Sequence, residues 1–167
     1  MDVVFGNQTI TLQGACVKLG QIAENFHAID NDFSEKKLTD YKTDYIVLSV
    51  VPSLDTGVCD YQTKTFNESL SEFKKVTVLT ISNDLPFAQK RWCANSGLKN
   101  VVTLSDHKYL DFAMKYGTLL EPPRLQTRAV FVLDKDRKIV YKEYVDNVSD
   151  HPSYEEVTKL LTELIKA

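Results

Sequence analysis

Apolar positions recur along the chain with two periods, and the switches between them mark the elements. Gln8-Thr9-Ile10-Thr11-Leu12 alternates polar and apolar residues with period two, the pattern of a half-buried strand or hairpin arm. Residues 25–44 are mixed and charged, with Asp30-Asn31-Asp32 among them, and read as turns or a short edge element without visible chemistry. The run Tyr45 to Val51, interrupted only by Ser49, is β-rich and continuous, as in a strand covered on both faces of a parallel or mixed sheet. A polar, helix-compatible segment from about Asp60 to Lys75 separates it from Val76-Thr77-Val78-Leu79-Thr80-Ile81, so a βαβ unit with a right-handed crossover is expected.

The next helix carries clear punctuation: Asp84 as its cap, Pro86 in its first turn and Gly97 just past its end, with Cys93 inside. Val101-Val102-Thr103-Leu104 is a short strand, and Tyr109 to Tyr116 a short helix closed by Gly117. Ala129–Leu133 and Ile139–Val145 flank the polar turn Asp134 to Lys138 as a hairpin. Ser153 to Lys166 spaces Val157, Leu160, Leu161, Leu164 and Ile165 helically, with Ser153 and Glu156 as a capping box. Parallel strands, then a hairpin, then a helix predict an α/β protein of thioredoxin-like fold. Its central mixed β-sheet is flanked by helices, an N-terminal β-hairpin precedes it, and residues 1–167 form a single domain.

Composition narrows the function. Twenty basic against 23 acidic side chains leave a net charge of −3, which offers no bulk attraction to nucleic acid or to anionic lipid. No apolar run approaches the roughly 18 residues of a membrane span, and no signal-peptide pattern opens the chain, so the cytoplasm is the expected location. Cys16, Cys59 and Cys93 are too few for a disulfide framework and contain no C-x-x-C pair, which argues against a general disulfide reductase. His27, His107 and His151 lie too far apart to make a local ligand pair, so no metal and no cofactor is expected.

Chemistry concentrates where the central strand ends. Val51-Pro52-Ser53-Leu54-Asp55-Thr56-Gly57-Val58-Cys59 leaves the carboxyl end of that strand and enters a helix, the place where open α/β sheets gather reacting groups. A cysteine in a first helical turn has its thiolate stabilised by the dipole and by free backbone donors. Thr56, three residues earlier, would share its face and could bond the sulfur or cap the helix. Pro52 has no N–H to offer and a rigid ring, so it can wall the sulfur from water.

These residues resemble the active-site loop of the peroxiredoxins, which here reads Pro52-x-x-x-Thr56-x-x-Cys59. Phe66-Asn67-Glu68, Asp84 to Arg91 with Cys93, Arg128 to Asp134 and Tyr141-Lys142-Glu143 follow in order. Together these blocks are similar to the bacterial thiol peroxidase branch of that family, in its atypical two-cysteine form. The resemblance implies that Cys59 is the peroxidatic nucleophile, that Thr56 and Arg128 orient a hydroperoxide substrate and that Pro52 shields the sulfur. It implies that Cys93 resolves the oxidised Cys59 as an intramolecular disulfide, and that thioredoxin returns the electrons to a homodimer. Arg124 is a rival for the role of Arg128, and Cys16 reads as a small core residue. Gln126-Thr127 precedes Arg128 where apolar residues are more usual, and Trp92 stands beside Cys93 where a smaller aromatic is common. The alternative class is a redox-sensing interaction protein that relays oxidation to a partner with little turnover of its own.

Overall fold

The structure, a computed structural model, describes residues 1–70 and 72–166. Strands β1 (Asp2–Phe5) and β2 (Gln8–Thr11) form the N-terminal hairpin, with Val3 opposite Ile10 and both buried. The chain continues through β3 (His27–Ile29), β4 (Glu35–Lys37), a 3-10 turn at Leu38–Asp40, β5 (Tyr45–Val50), α1 (Gly57–Leu70), β6 (Val76–Ser82), α2 (Pro86–Ser96), β7 (Val102–Ser105) and α3 (Asp111–Tyr116). A short antiparallel pair, β8 (Leu119–Leu120) with β9 (Leu125–Gln126), leads to β10 (Ala129–Leu133), β11 (Ile139–Tyr144) and α4 (Tyr154–Lys166).

Seven strands make the central sheet in the order β11-β10-β5-β6-β7-β3-β4. β5, β6 and β7 run parallel, while β10 and β3 are antiparallel to the neighbours they flank, so the sheet is mixed as expected. Every residue of β5 is buried, because both faces of the sheet are covered. Successive side chains point to opposite faces. Ile46, Leu48 and Val50 therefore join Leu79, Ile81, Phe112, Tyr116 and Phe131 in one core, and Tyr45 and Val47 join Val78, Phe66, Leu70, Val157 and Leu161 under α1 and α4 in the other. At roughly 1.5–3 kcal/mol per large buried apolar side chain, these two layers supply the dominant stabilising term.

Several boundaries differ from those read in the sequence, each for a local reason. α1 begins at Gly57, and residues 72–75 form turns rather than helix; Ser71, inside the predicted segment, lies outside the described residues. Asp84 does not cap α2: Leu85 occupies that position, and Pro86 and Gly97 (φ 75°) take the places expected of them. The amide of Ser153, before α4, donates to Glu143 at 3.0 Å rather than to Glu156, so the hairpin strand β11 completes that cap. The segment 25–44 contains β3 and β4, which close that side of the sheet with β4 at its edge.

Cys16 is exposed, which corrects its reading as a core residue. Its chain segment crosses the surface over Gly117 (φ 67°), where an added Cβ would lie 2.8 Å from the Cys16 backbone. That close approach requires glycine at 117 and leaves the Cys16 side chain outside the core.

Candidate functional site

Cys59 is the third residue of α1 and has no exposed surface. It packs with Val51 and Leu54 from the preceding loop and with Trp92 of α2. Its Sγ accepts a hydrogen bond from Arg128 Nη2 at 3.3 Å. Arg128 is 2% exposed and stands immediately before β10, next to β5 in the sheet, so two adjacent strand ends bring sulfur and guanidinium together.

The guanidinium is held at each nitrogen. Nε donates to the Val148 carbonyl at 2.7 Å and Nη1 to Gln62 Oε1 at 3.0 Å. Gln62, one turn after Cys59 and fully buried, donates in turn to Ser49 Oγ at 2.9 Å. Ser49 is the polar interruption of the central strand, and this bond is why it is tolerated in a buried sheet. Among the described residues no carboxylate lies within ion-pair distance of Arg128. A buried, permanently charged group needs a counter-charge. Of the groups it touches, two are neutral carbonyl oxygens and the third is the Cys59 sulfur, so the charge of the guanidinium is aimed at that sulfur.

The loop that delivers Cys59 is fastened from the next strand. Asp84 accepts from Ser53 Oγ at 2.7 Å, from the Leu54 amide at 2.8 Å and from Ser82 Oγ at 2.7 Å. The residue read as a helix cap is thus the anchor of the reactive loop. Pro52 is buried at the base of that loop. Thr56 is exposed, and its hydroxyl donates to the Ser53 carbonyl at 3.2 Å instead of to the sulfur. The same-face argument does not apply to it, because its carbonyl accepts the Asp60 amide and Thr56 is the N-cap, outside the helical repeat.

Cys93 sits half-buried on α2 with separate partners. Its Sγ lies 3.4 Å from Thr103 Oγ1 and 3.7 Å from Asn31 Nδ2, and Thr103 donates to Asn31 Oδ1 at 2.9 Å. Asn31 belongs to the β3–β4 turn, which the sequence had shown as free of chemistry. Both cysteines are thiols here. Successive helical residues diverge by about 100°. Trp92 can therefore face Cys59, with its indole N–H donating to Asp60 Oδ1 at 2.8 Å, while Cys93 faces β7.

Arg124, the rival arginine, is exposed and lies 3.7 Å from Glu121. Gln126 is buried and donates to Asn83 at 2.9 Å and to Asp106 at 2.8 Å, so this unusual polar residue before Arg128 ties β9 to the ends of β6 and β7. Asp106 also accepts from the Phe112 and Ala113 amides, and burial pushes its carboxyl up to about 6 against those three donors. Tyr154 packs against Phe66 and Tyr61 and shares a 2.7 Å hydrogen bond with His151 Nδ1. Burial pushes its hydroxyl up to about 12, with the charge of Arg128 opposing. Sequence reasoning missed Gln62, Asp84 and Asn31; buried polar residues at helical spacing from Cys59 would have pointed to the first. Among the described residues there is no group of three or more His, Cys, Asp or Glu that could hold a metal ion, and no helix is long and apolar enough to cross a membrane.

Known proteins share this architecture. The Redoxin family profile matches residues 18–158. A thiol peroxidase of Oceanobacillus iheyensis is 53% identical over 156 residues, covering 93% of this chain and 95% of the relative. One from Staphylococcus saprophyticus is 53% identical over 154 residues, covering 92% and 93%. Among solved structures, a peroxiredoxin-like protein from Aquifex aeolicus superposes with a TM-score of 0.90 at 37% identity over 98% of this chain and 96% of that one. A thiol peroxidase from Chromobacterium violaceum shares the fold with a TM-score of 0.89 at 21% identity, over 99% and 97%. With a family profile spanning most of its length and relatives of this identity, the chain belongs to the Redoxin family, in its thiol peroxidase branch.

Proposed function

We propose that this peroxiredoxin-type peroxidase reduces hydrogen peroxide and organic hydroperoxides through Cys59, with Cys93 as the resolving thiol. The Cys59 thiolate attacks the terminal peroxide oxygen; the O–O bond breaks, the departing oxygen takes a proton and leaves as water or alcohol, and Cys59 becomes a sulfenic acid. The Cys93 thiol then condenses with it, forming an S–S bond and releasing water. A dithiol donor, thioredoxin, reduces the disulfide and restores both thiols. The observation that carries this reading is the buried Arg128 guanidinium, 3.3 Å from the Cys59 sulfur and without a carboxylate partner among the described residues. The same fork of donors stabilises the charge that builds on oxygen as the peroxide bond breaks. Thr56, at the rim, orients the peroxide with Arg128, and Pro52 excludes water beneath.

Disulfide formation demands movement. Bridged cysteines have Cα atoms within roughly 7 Å and side chains that face each other. Here one sulfur is turned to Arg128 and the other to Thr103 and Asn31, so the first turn of α1 or the end of α2 unwinds locally. A homodimer working in the cytoplasm completes the proposal. The deciding measurement is intact mass with peptide mapping after one equivalent of peroxide, together with peroxide consumption driven by thioredoxin and its reductase. A Cys59–Cys93 link and sustained turnover are expected. The link without turnover would make the protein a redox relay instead, and no oxidation at Cys59 would overturn the mechanism.

A further inference from the structure

The two proposed reactive cysteines are each followed or preceded by a residue that joins the two helices. Asp60 follows Cys59, Trp92 precedes Cys93, and the indole N–H of Trp92 donates to Asp60 Oδ1 at 2.8 Å. The other oxygen of Asp60 is held by Lys64 at 3.2 Å, one turn on, which fixes the carboxylate toward α2. Trp92 also packs against the small apolar cluster that Val51, Leu54 and the buried Cys59 form. Cys93 itself is in the last two turns of α2, where helices open most easily, and its thiol is turned toward Thr103 and Asn31. Any rotation or unwinding that carries Cys93 round to Cys59 moves Trp92 off its site and breaks the bond to Asp60.

We propose that the Trp92–Asp60 hydrogen bond is a latch that sets how long oxidised Cys59 waits before Cys93 reaches it. The inference rests on the proposed roles of Cys59 and Cys93 and adds a positioning pair to them. The step it gates is the condensation of the Cys59 sulfenic acid with the Cys93 thiol, which forms S–S and releases one water. While the latch is closed, the sulfenic acid stays open to a second peroxide, which would take it to sulfinic acid and release water or alcohol. The latch therefore sets two quantities together: the rate of disulfide formation and the peroxide concentration at which the enzyme inactivates itself.

The test uses the full chain, whose single tryptophan is the latch residue and thus a built-in fluorophore. After rapid mixing with one equivalent of peroxide, disulfide formation is followed by acid quench and mass, and by fluorescence in the proteins that keep Trp92. Asp60→Ala removes the acceptor, Trp92→Phe keeps a ring but removes the donor, and Asp60→Asn keeps an acceptor oxygen. Asp60→Ala and Trp92→Phe are expected to form the disulfide about three- to tenfold faster, the hydrogen bond being partly exposed and its loss partly compensated by water. The half-inactivating peroxide concentration should rise by the same factor. The double variant should match the single ones, Asp60→Asn should stay within about twofold of the parent, and the first peroxide step in the Asp60 variants should be unchanged. Disulfide formation at the parental rate in both Asp60→Ala and Trp92→Phe, or slower, would overturn the latch. Failure of the parent protein to form any Cys59–Cys93 link would instead overturn the reading on which the latch rests.

Discussion

The surroundings of Cys59 and Cys93 differ in burial and in hydrogen-bond partners, and the difference suits the two jobs proposed for them. Cys59 lies in a fully covered site built from strand ends, with a guanidinium locked at each of its nitrogens and a loop anchored by Asp84. Cys93 is half-buried near a helix end, with a threonine and an asparagine as the hydrogen-bond partners of its sulfur among the described residues. A nucleophile that must meet a small substrate in one geometry gains from preorganisation. A thiol that must travel gains from a segment with few fixed contacts. The two surroundings are joined by the Trp92–Asp60 hydrogen bond and by Gln89 of α2, which donates to Ser82 Oγ at 2.9 Å.

That contrast can be broken experimentally. The largest effect is expected from Cys59→Ser, which should reduce peroxide consumption to background, whereas Cys93→Ser should still be oxidised once at Cys59 and then stop. Titrating both with limiting peroxide and reading mass would show it, and equal residual turnover in the two would erase the division of labour. Next comes Arg128→Met, which removes the guanidinium facing the sulfur and should slow Cys59 oxidation by about 10²–10³-fold, the range for losing one preorganised donor at a developing charge. Stopped-flow oxidation rates measure this, and an unchanged rate would deny Arg128 its part.

A smaller effect concerns the frame behind Arg128. The folded protein holds the proton of Asp106 more tightly than the unfolded chain, its carboxyl standing at about 6 instead of 3.8 because of burial. The stabilisation from this group is therefore fully present below the unfolded value and is lost as pH rises through about 6. Between pH 4.5 and 6.5 the loss amounts to about 2 kcal/mol. Urea midpoints at the two pH values should show this slope in the parent and lack it in Asp106→Asn; identical slopes would show that the buried carboxyl titrates normally. Smallest is Gln62→Leu, which strips the neutral partner from Arg128 Nη1. It should cost about 1–2 kcal/mol of stability and slow Cys59 oxidation by roughly tenfold, while leaving the disulfide step at its parental rate.

Regular elements were legible because their signals are local. The run Tyr45–Val51 announced the central strand, and Pro86 and Gly97 bracketed α2 within a residue of where it lies. Asp84 as a cap and Glu156 as the partner of the Ser153 amide were misread for the same reason: each has a suitable side chain, and nothing nearby in sequence says that Ser53 will claim the first or that Glu143 will replace the second. Thr56 was read both as a cap and as a residue on the face of Cys59, because the start of α1 was unknown to within a few residues, and the structure makes it the cap. Cys16 followed the general tendency of free cysteines toward burial and lost to a backbone crossing at Gly117.

The amino-acid sequence by itself determined the order of the main strands and helices, the family and the identity of the candidate nucleophile. Each of these is carried by periodicity or by a motif within a few consecutive residues. Only the tertiary structure decided that Arg128, 69 positions away, reaches the sulfur, that Gln62 holds it there, and that Cys93 looks toward Asn31 and away from Cys59. Such pairings depend on which strands become neighbours and on how far each helix is turned. Those quantities are set by the packing of the whole core, and no short stretch of chain contains them.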